Sequence, residues 1–195
     1  MVGFRVWYAL GKPWQRPPTD DGRLKSIGQQ FVWTSAAVQA HCRRRDHPAP
    51  ALGCECGLYA YDRLATAALY ERHVNSAINQ NFSAVIVLGV VLLWGHLIYG
   101  EVADHYPSSP PGSDLGLRFR AQFGRVLALR DDGEANAFAC RAYGVPAIRE
   151  HYLESFAKEH GDRLSPPPPD LITAYYSSGR RRHERLLNAY RTLGY

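Results

Sequence analysis

An α+β fold, with a mixed and mainly antiparallel sheet flanked by helices, is what this sequence predicts, and three observations lead to it. Gly3 to Ala9 (GFRVWYA) mixes aromatic and β-branched residues as strands do. Two long apolar runs, Ala84 to Tyr99 and Leu117 to Leu129, flank a Pro- and Gly-rich loop and form a long hairpin. Between the first strand and that hairpin, Asp62 to Ile78 repeats its apolar residues at helical spacing. The sheet can close partly into a barrel, with helices on one side.

The elements follow in chain order. The first strand ends in a loop from Gly11 through Gly22, marked by Pro17-Pro18 and Asp20-Asp21-Gly22. Leu24 to Ser26 is a short strand and Gln30 to Thr34 a further extended piece. Ser35 to Cys42 alternates weakly, which leaves strand and helical turn both open, and the chain then runs as loop to Gly57. Asp62 can cap a helix that buries Leu64, Ala68, Leu69, Val74 and Ile78.

Ala84 to Tyr99 is almost wholly apolar, yet its sixteen residues fall short of the about 20 needed to span a bilayer. Its Val and Ile content favours a central strand buried on both faces, interrupted near Gly89 or Gly95. After the loop Glu101 to Gly116, Leu117, Phe119 and Ala121 face one way and Arg118 and Arg120 the other. Asp132-Gly133 turns the chain into a helix, Glu134 to Tyr143, closed by Gly144 and Pro146. Ala147 to His160 predicts another helix, burying Ile148, Tyr152, Leu153 and Phe156.

Residues 1–163 thus read as a single domain containing a loop at 42–56. Residues 164–195 read as a stiff four-proline spacer and a basic tail. At 195 residues the chain is long enough to bury about 70% of its unfolded surface, so disulfide staples are not required. Composition is 46% apolar and 21% charged, which argues against disorder or a fibrous class. Met1 to Tyr8 lacks the pattern of a secretion signal, so a cytoplasmic protein without a membrane partner is expected.

The net charge of +5 is carried almost wholly by arginine, since Lys12, Lys25 and Lys158 are the only lysines. Arginine suits phosphate and carboxylate recognition, although GC-rich coding produces the same bias. The excess permits nucleic-acid binding without arguing for it.

Cys42, His47, Cys54 and Cys56 are spaced C-x4-H-x6-C-x-C and supply three thiolates and an imidazole, a standard tetrahedral zinc set. A loop rich in Pro and Gly can gather them at little strain, and His41 is an alternative nitrogen ligand. Unliganded thiols in a reducing compartment, or a disulfide or redox pair, fit the same residues. Four protein ligands close the coordination sphere, so a zinc ion here is expected to be structural, because catalytic zinc keeps a position for water.

The segment HPAPALGCECGLYAY (His47 to Tyr61), followed by VLGVVLLWGHLIYGE (Val87 to Glu101), resembles an uncharacterised family of bacterial, mostly actinobacterial, proteins. That family carries an H-x-A-P…C-x-C-G-[IL]-Y-A segment and a later G-x-V-x-L-W-G strand. The likeness covers the first 145 residues or so and implies a shared fold but no activity. This chain departs from it in the longer loop Glu101 to Gly116.

Arg43-Arg44-Arg45 and Arg180-Arg181-Arg182 can contact phosphates, and Trp7, Trp33 and Tyr59 can stack bases if exposed. A solvated arginine face and aromatic core packing account for the same residues. His96, Glu101, Asp104 and His105 lie near the hairpin tip and can form an acid/base or metal cluster, or simply polar surface. Cys140 reads as a small core residue. No G-x-S-x-G, G-x-G-x-x-G or phosphate loop occurs. The expected function is non-enzymatic binding, of nucleic acid or in regulation, with a structural zinc. The alternatives are a protein-interaction adaptor using residues 164–195 and an enzyme with a site near residues 96–105.

Overall fold

A computed structural model describes residues 1–9, 22–27, 31–51, 54–78, 85–101, 115–162 and 172–174. Nine strands, β1 (Val2–Ala9), β2 (Leu24–Ser26), β3 (Val32–Trp33), β4 (Ala37–Gln39), β5 (Leu58–Tyr61), β6 (Val85–Glu101), β7 (Leu117–Arg130), β8 (Ala147–Ile148) and β9 (Ile172–Ala174), form one sheet. Among the described residues three helices, α1 (Leu64–Ile78), α2 (Glu134–Tyr143) and α3 (Glu150–Asp162), complete the α+β fold.

The expected hairpin is the spine of the sheet. β6 and β7 pair antiparallel from Gly89↔Leu129 to Glu101↔Leu117. β1 runs antiparallel along the first half of β6, from Val2↔Leu92 to Ala9↔Val85. β5 lies against β7, Leu58↔Ala121 to Tyr61↔Arg118, and meets β1 at Phe4↔Tyr61. β1, β5, β7 and β6 therefore make a partial ring that is not a barrel. β4 and β8 add to β7, and β9 pairs in parallel with β6.

Over the first half of β6 both faces are buried, which is why it reads as an unbroken apolar run rather than an alternating one. Its odd positions Val87, Val91 and Leu93 join Trp7, Trp33, Leu58, Phe119 and Leu129, with Ala139, Cys140 and Tyr143 of α2 over them. Its even positions Ile86, Leu88 and Val90 lie with Phe4, Val6, Leu64, Ala67, Val74, Leu153 and Ala157, under α1 and α3. Helices thus cover both faces, in place of the one side that the sequence suggested. Cys140 is a core residue, as expected.

Neither Gly89 nor Gly95 breaks β6. Gly89 faces β7 so closely that an added Cβ would sit 2.3 Å from the Ala128 carbonyl oxygen. Gly89→Ala should force these two strands apart and cost about 3 kcal/mol, a fall of about 6–12 °C in a thermal melt; an unchanged melt would show that the contact yields freely. Gly95 has φ +78 and marks a register shift between Trp94 and Leu97, so the interruption there is a bulge.

The charged residues that sequence patterning leaves in solvent are partly inside. Glu71, on the buried face of α1, pairs bidentately with Arg130 at 2.6 and 2.8 Å, and Arg130 also bonds Asp132 and, at 3.3 Å, Glu150. One guanidinium so joins β7 to α1 and the start of α3. The α1 face differs from the one expected: Leu64, Ala67, Glu71 and Val74 are buried, while Ala68 and Leu69 are half-buried. Asp62 Oδ1 accepts the Leu117 N–H at 2.8 Å, tying the helix start to β7.

Gly144 takes the left-handed conformation at φ 62 and closes α2 as expected. Tyr143 of that helix donates to the Trp33 carbonyl at 2.5 Å and accepts from the Leu24 N–H at 2.7 Å. The helix predicted from Ala147 starts only at Glu150, because Ala147 and Ile148 pair in parallel with Leu129 and Arg130. Tyr152 is 56% exposed rather than buried, and α3 packs through Leu153 and Ala157. Among the described residues no helix is long and apolar enough to cross a membrane.

Candidate metal centre

The loop between β4 and β5 gathers Cys42, His47, Cys54 and Cys56, the residues the sequence singles out. β4 is held on β7 through Gln39↔Phe123, and the Ala40 N–H continues this to the Gln122 carbonyl at 2.7 Å. The chain then doubles back, and an isolated bridge between His41 and Pro48 brings Cys42 and His47 together. The return leg passes through a cis Ala49-Pro50 bond and ends at Cys56-Gly57, where β5 begins. Gly57 has φ +120, and a Cβ there would lie 3.0 Å from Pro50 and 3.2 Å from Arg120, so the loop closes only on glycine.

One donor atom from each of the four residues lies within 4.8 Å of all the others. Cys42 Sγ and Cys54 Sγ are 3.7 Å apart. Bonds of about 2.3 Å to sulfur and about 2.0 Å to nitrogen place tetrahedral donors about 3.5–3.8 Å apart, so the cluster has the dimensions of a metal site. Cys56 is buried and the other three are half-buried.

His47 is arranged as a ligand. Its Nδ1 lies 2.8 Å from the Pro48 carbonyl oxygen, which only accepts, so Nδ1 carries the proton. Nε2 then holds the lone pair, and it is buried without a hydrogen-bond partner. A ring nitrogen so oriented by a backbone carbonyl is what metal-binding histidines show. His41, the alternative nitrogen, is exposed and stands outside the cluster.

Burial, and then the neighbouring Cys54 and Cys42, push the Cys56 thiol up to about 11. At Cys54 slight burial works against the thiolate, but the Cys56 backbone N–H, the thiols of Cys42 and Cys56, and Arg45 together hold it below the ordinary thiol range. Three thiolates so close repel one another, and a divalent cation supplies the charge that lets all three ionise. With a neutral imidazole the filled cluster would carry −1. Arg120, buried on β7, donates to the carbonyls of Cys54 and Cys56, the latter at 3.3 Å, and so sets a positive charge behind it.

The chain has no match among protein-family models, curated proteins or solved structures.

The arginines Arg43, Arg44 and Arg45 form, with Asp46, the exposed tip between Cys42 and His47. Arg180, Arg181 and Arg182 lie outside the described residues, as does nearly all of the tail on which an adaptor role would rest. Trp7 and Trp33 cannot serve as base-stacking surfaces: both are fully buried and pack edge to face at 5.6 Å. Tyr59 is half-buried beneath Arg118 and Arg120. Of the hairpin-tip candidates His96 is half-buried on β6 and Glu101 ends that strand, whereas Asp104 and His105 lie outside the described residues.

Sequence reasoning missed Arg120, the side chain that holds the ligand loop against the sheet. It also missed Arg5, which is buried between Trp7 and Trp33 and donates to the Tyr59 carbonyl and to Ser26 Oγ at 2.6 Å. Burial pulls the Arg5 guanidinium down to about 10. An arginine inside a strand otherwise made of core residues was the available signal for it.

Proposed function

We propose that this chain is a non-enzymatic nucleic-acid-binding protein in which a structural zinc ion, held by Cys42, His47, Cys54 and Cys56, fixes an arginine tip for contact with phosphates. One observation carries the reading: the first two ligands of the cluster are the two roots of the tip, so the ion that closes the loop also sets the direction of Arg43, Arg44 and Arg45. Long flexible cations lose much of their contact energy to ordering, and a rigid base lowers that loss. Zinc is the metal favoured by three thiolates and an imidazole in tetrahedral array, and four protein donors leave no position for a reacting water. The overall charge of +5 agrees in sign with a phosphate partner.

A fluorescence titration with labelled single strand and labelled duplex across a salt series tests this. Affinity should be measurable at about 50 mM salt and fall steeply as salt rises. In the Arg43→Ala/Arg44→Ala/Arg45→Ala variant the slope of log affinity against log salt should shrink by about 2–3, close to 0.9 for each lost phosphate contact. No affinity at low salt, or affinity indifferent to salt, contradicts the reading.

A further inference from the structure

The even-numbered face of β6 changes partner along its length. Ile86, Leu88 and Val90 lie under the helices, but the same face continues as half-buried Leu92 and then Trp94, which is 36% exposed. Trp94 sits directly opposite Phe123 on β7, and the two rings stack at 15° with centroids 5.7 Å apart. This arrangement is built by the bulge. Gly95, at φ +78, has no side chain, and an added Cβ would lie 2.6 Å from the Phe123 ring, so Phe123 lies flat only because residue 95 is glycine. Gln122 Oε1 reaches the backbone N–H of His96 at 3.4 Å on the same bulge.

The neighbours on that face are polar or cationic. Strand alternation puts exposed Arg125 beside Phe123, and β4 brings exposed Gln39 opposite Phe123 and Ala37 opposite Arg125. β4 then runs straight into the ligand loop. Gln39 and Arg43 are four residues apart, a span of at most about 14 Å, so the aromatic pair and the arginine tip lie within reach of one short polymer.

We propose that the Trp94–Phe123 pair is a stacking platform for the bases of single-stranded nucleic acid, whose phosphates are met by Arg125 and by the arginine tip. The inference rests on the nucleic-acid reading above and narrows it. A flat aromatic face, held in place and flanked by cations, is what sequence-tolerant binding of single strands uses, since every base has a π-face. In a duplex those faces are already stacked on each other, so the platform discriminates between the two forms. The positive charge of Arg125 and the tip complements a polyanion.

The experiment measures binding of the full-length, zinc-loaded protein to a fluorescein-labelled single strand of about 12 nucleotides and to the matching duplex, at about 50 mM salt. Wild type should prefer the single strand. Trp94→Ala should lose about 10-fold in affinity for the single strand and keep its duplex affinity. Trp94→Phe, which retains a ring, should recover most of the loss, and Trp94→Leu, which retains bulk without a ring, should not; this pair separates stacking from any effect on folding. If Trp94→Ala binds single strand like wild type while the triple arginine variant loses binding, the platform is wrong and the phosphate-binding tip stands. Equal losses on both nucleic acids, or a strand held equally well by the Leu variant, also overturn the platform. Failure of wild type to bind either form overturns both proposals.

Discussion

Removing the metal with a strong chelator should lower the melting temperature of the wild-type protein by about 10 °C, and Cys56→Ser should reproduce that loss and abolish any further response to chelator. An ion present at about 1,000 times its dissociation constant contributes about 4 kcal/mol to the folded state, and at this chain length each kcal/mol moves the midpoint by about 2–4 °C. Cys56 is the informative ligand because it is buried and joins the core cluster of Trp7, Trp33 and Leu58. A serine there leaves a poor metal donor in an apolar setting. Cys140 is the control: it is buried to a similar degree in α2 but lies outside the cluster. Cys140→Ser should have a chelator response equal to wild type, whatever its own cost to stability. Calorimetry with and without chelator checks all three proteins, and a wild-type midpoint indifferent to chelator counts against a structural metal.

The second large effect belongs to Arg120. Its guanidinium bonds the carbonyls of Cys54 and Cys56 from within the sheet, and its Cβ is among the closest neighbours of Gly57. Arg120→Met keeps bulk and removes both the donors and the positive charge behind the cluster. Groups that orient ligands in this way are worth about 10–100-fold in metal affinity, and that is the expected loss. Arg118 lies two positions earlier on β7, over the Tyr59 ring at 4.9 Å, and makes a matched comparison. Arg118→Met should leave metal affinity within about 3-fold of wild type, a difference small against the about 10–100-fold assigned to a group that holds the ligand-bearing backbone. A competition titration against a chromophoric chelator measures both, and equal affinities for the two variants would remove Arg120 from the account.

The parts of this fold that were legible in the sequence are those whose signal is local. GFRVWYA makes β1, the two long apolar runs make the β6–β7 hairpin, and Gly144 stops α2. The four metal-binding candidates were legible because ligand chemistry restricts residue type and the loop keeps them within fifteen residues, Cys42 to Cys56. What escaped depends on contacts between distant residues. Arg120 bonds a carbonyl 64 residues away and Glu71 a guanidinium 59 residues away, so local patterning treats both as solvent-facing. Ala147 and Ile148 suit a helix until β7 offers them a parallel partner. Trp94 looks like core because it sits in the most apolar run of the chain, and its exposure follows from where α1 and α3 stop covering β6, which no pattern within β6 records.

Cys42, His47, Cys54 and Cys56 are expected to hold one zinc ion. Mass spectrometry of the purified protein under native conditions, with elemental analysis of the same sample, measures it directly. One zinc per wild-type chain, and none in Cys54→Ser/Cys56→Ser, is the predicted result. A wild-type chain that carries no metal, paired with a double variant that melts at the wild-type temperature, would contradict it.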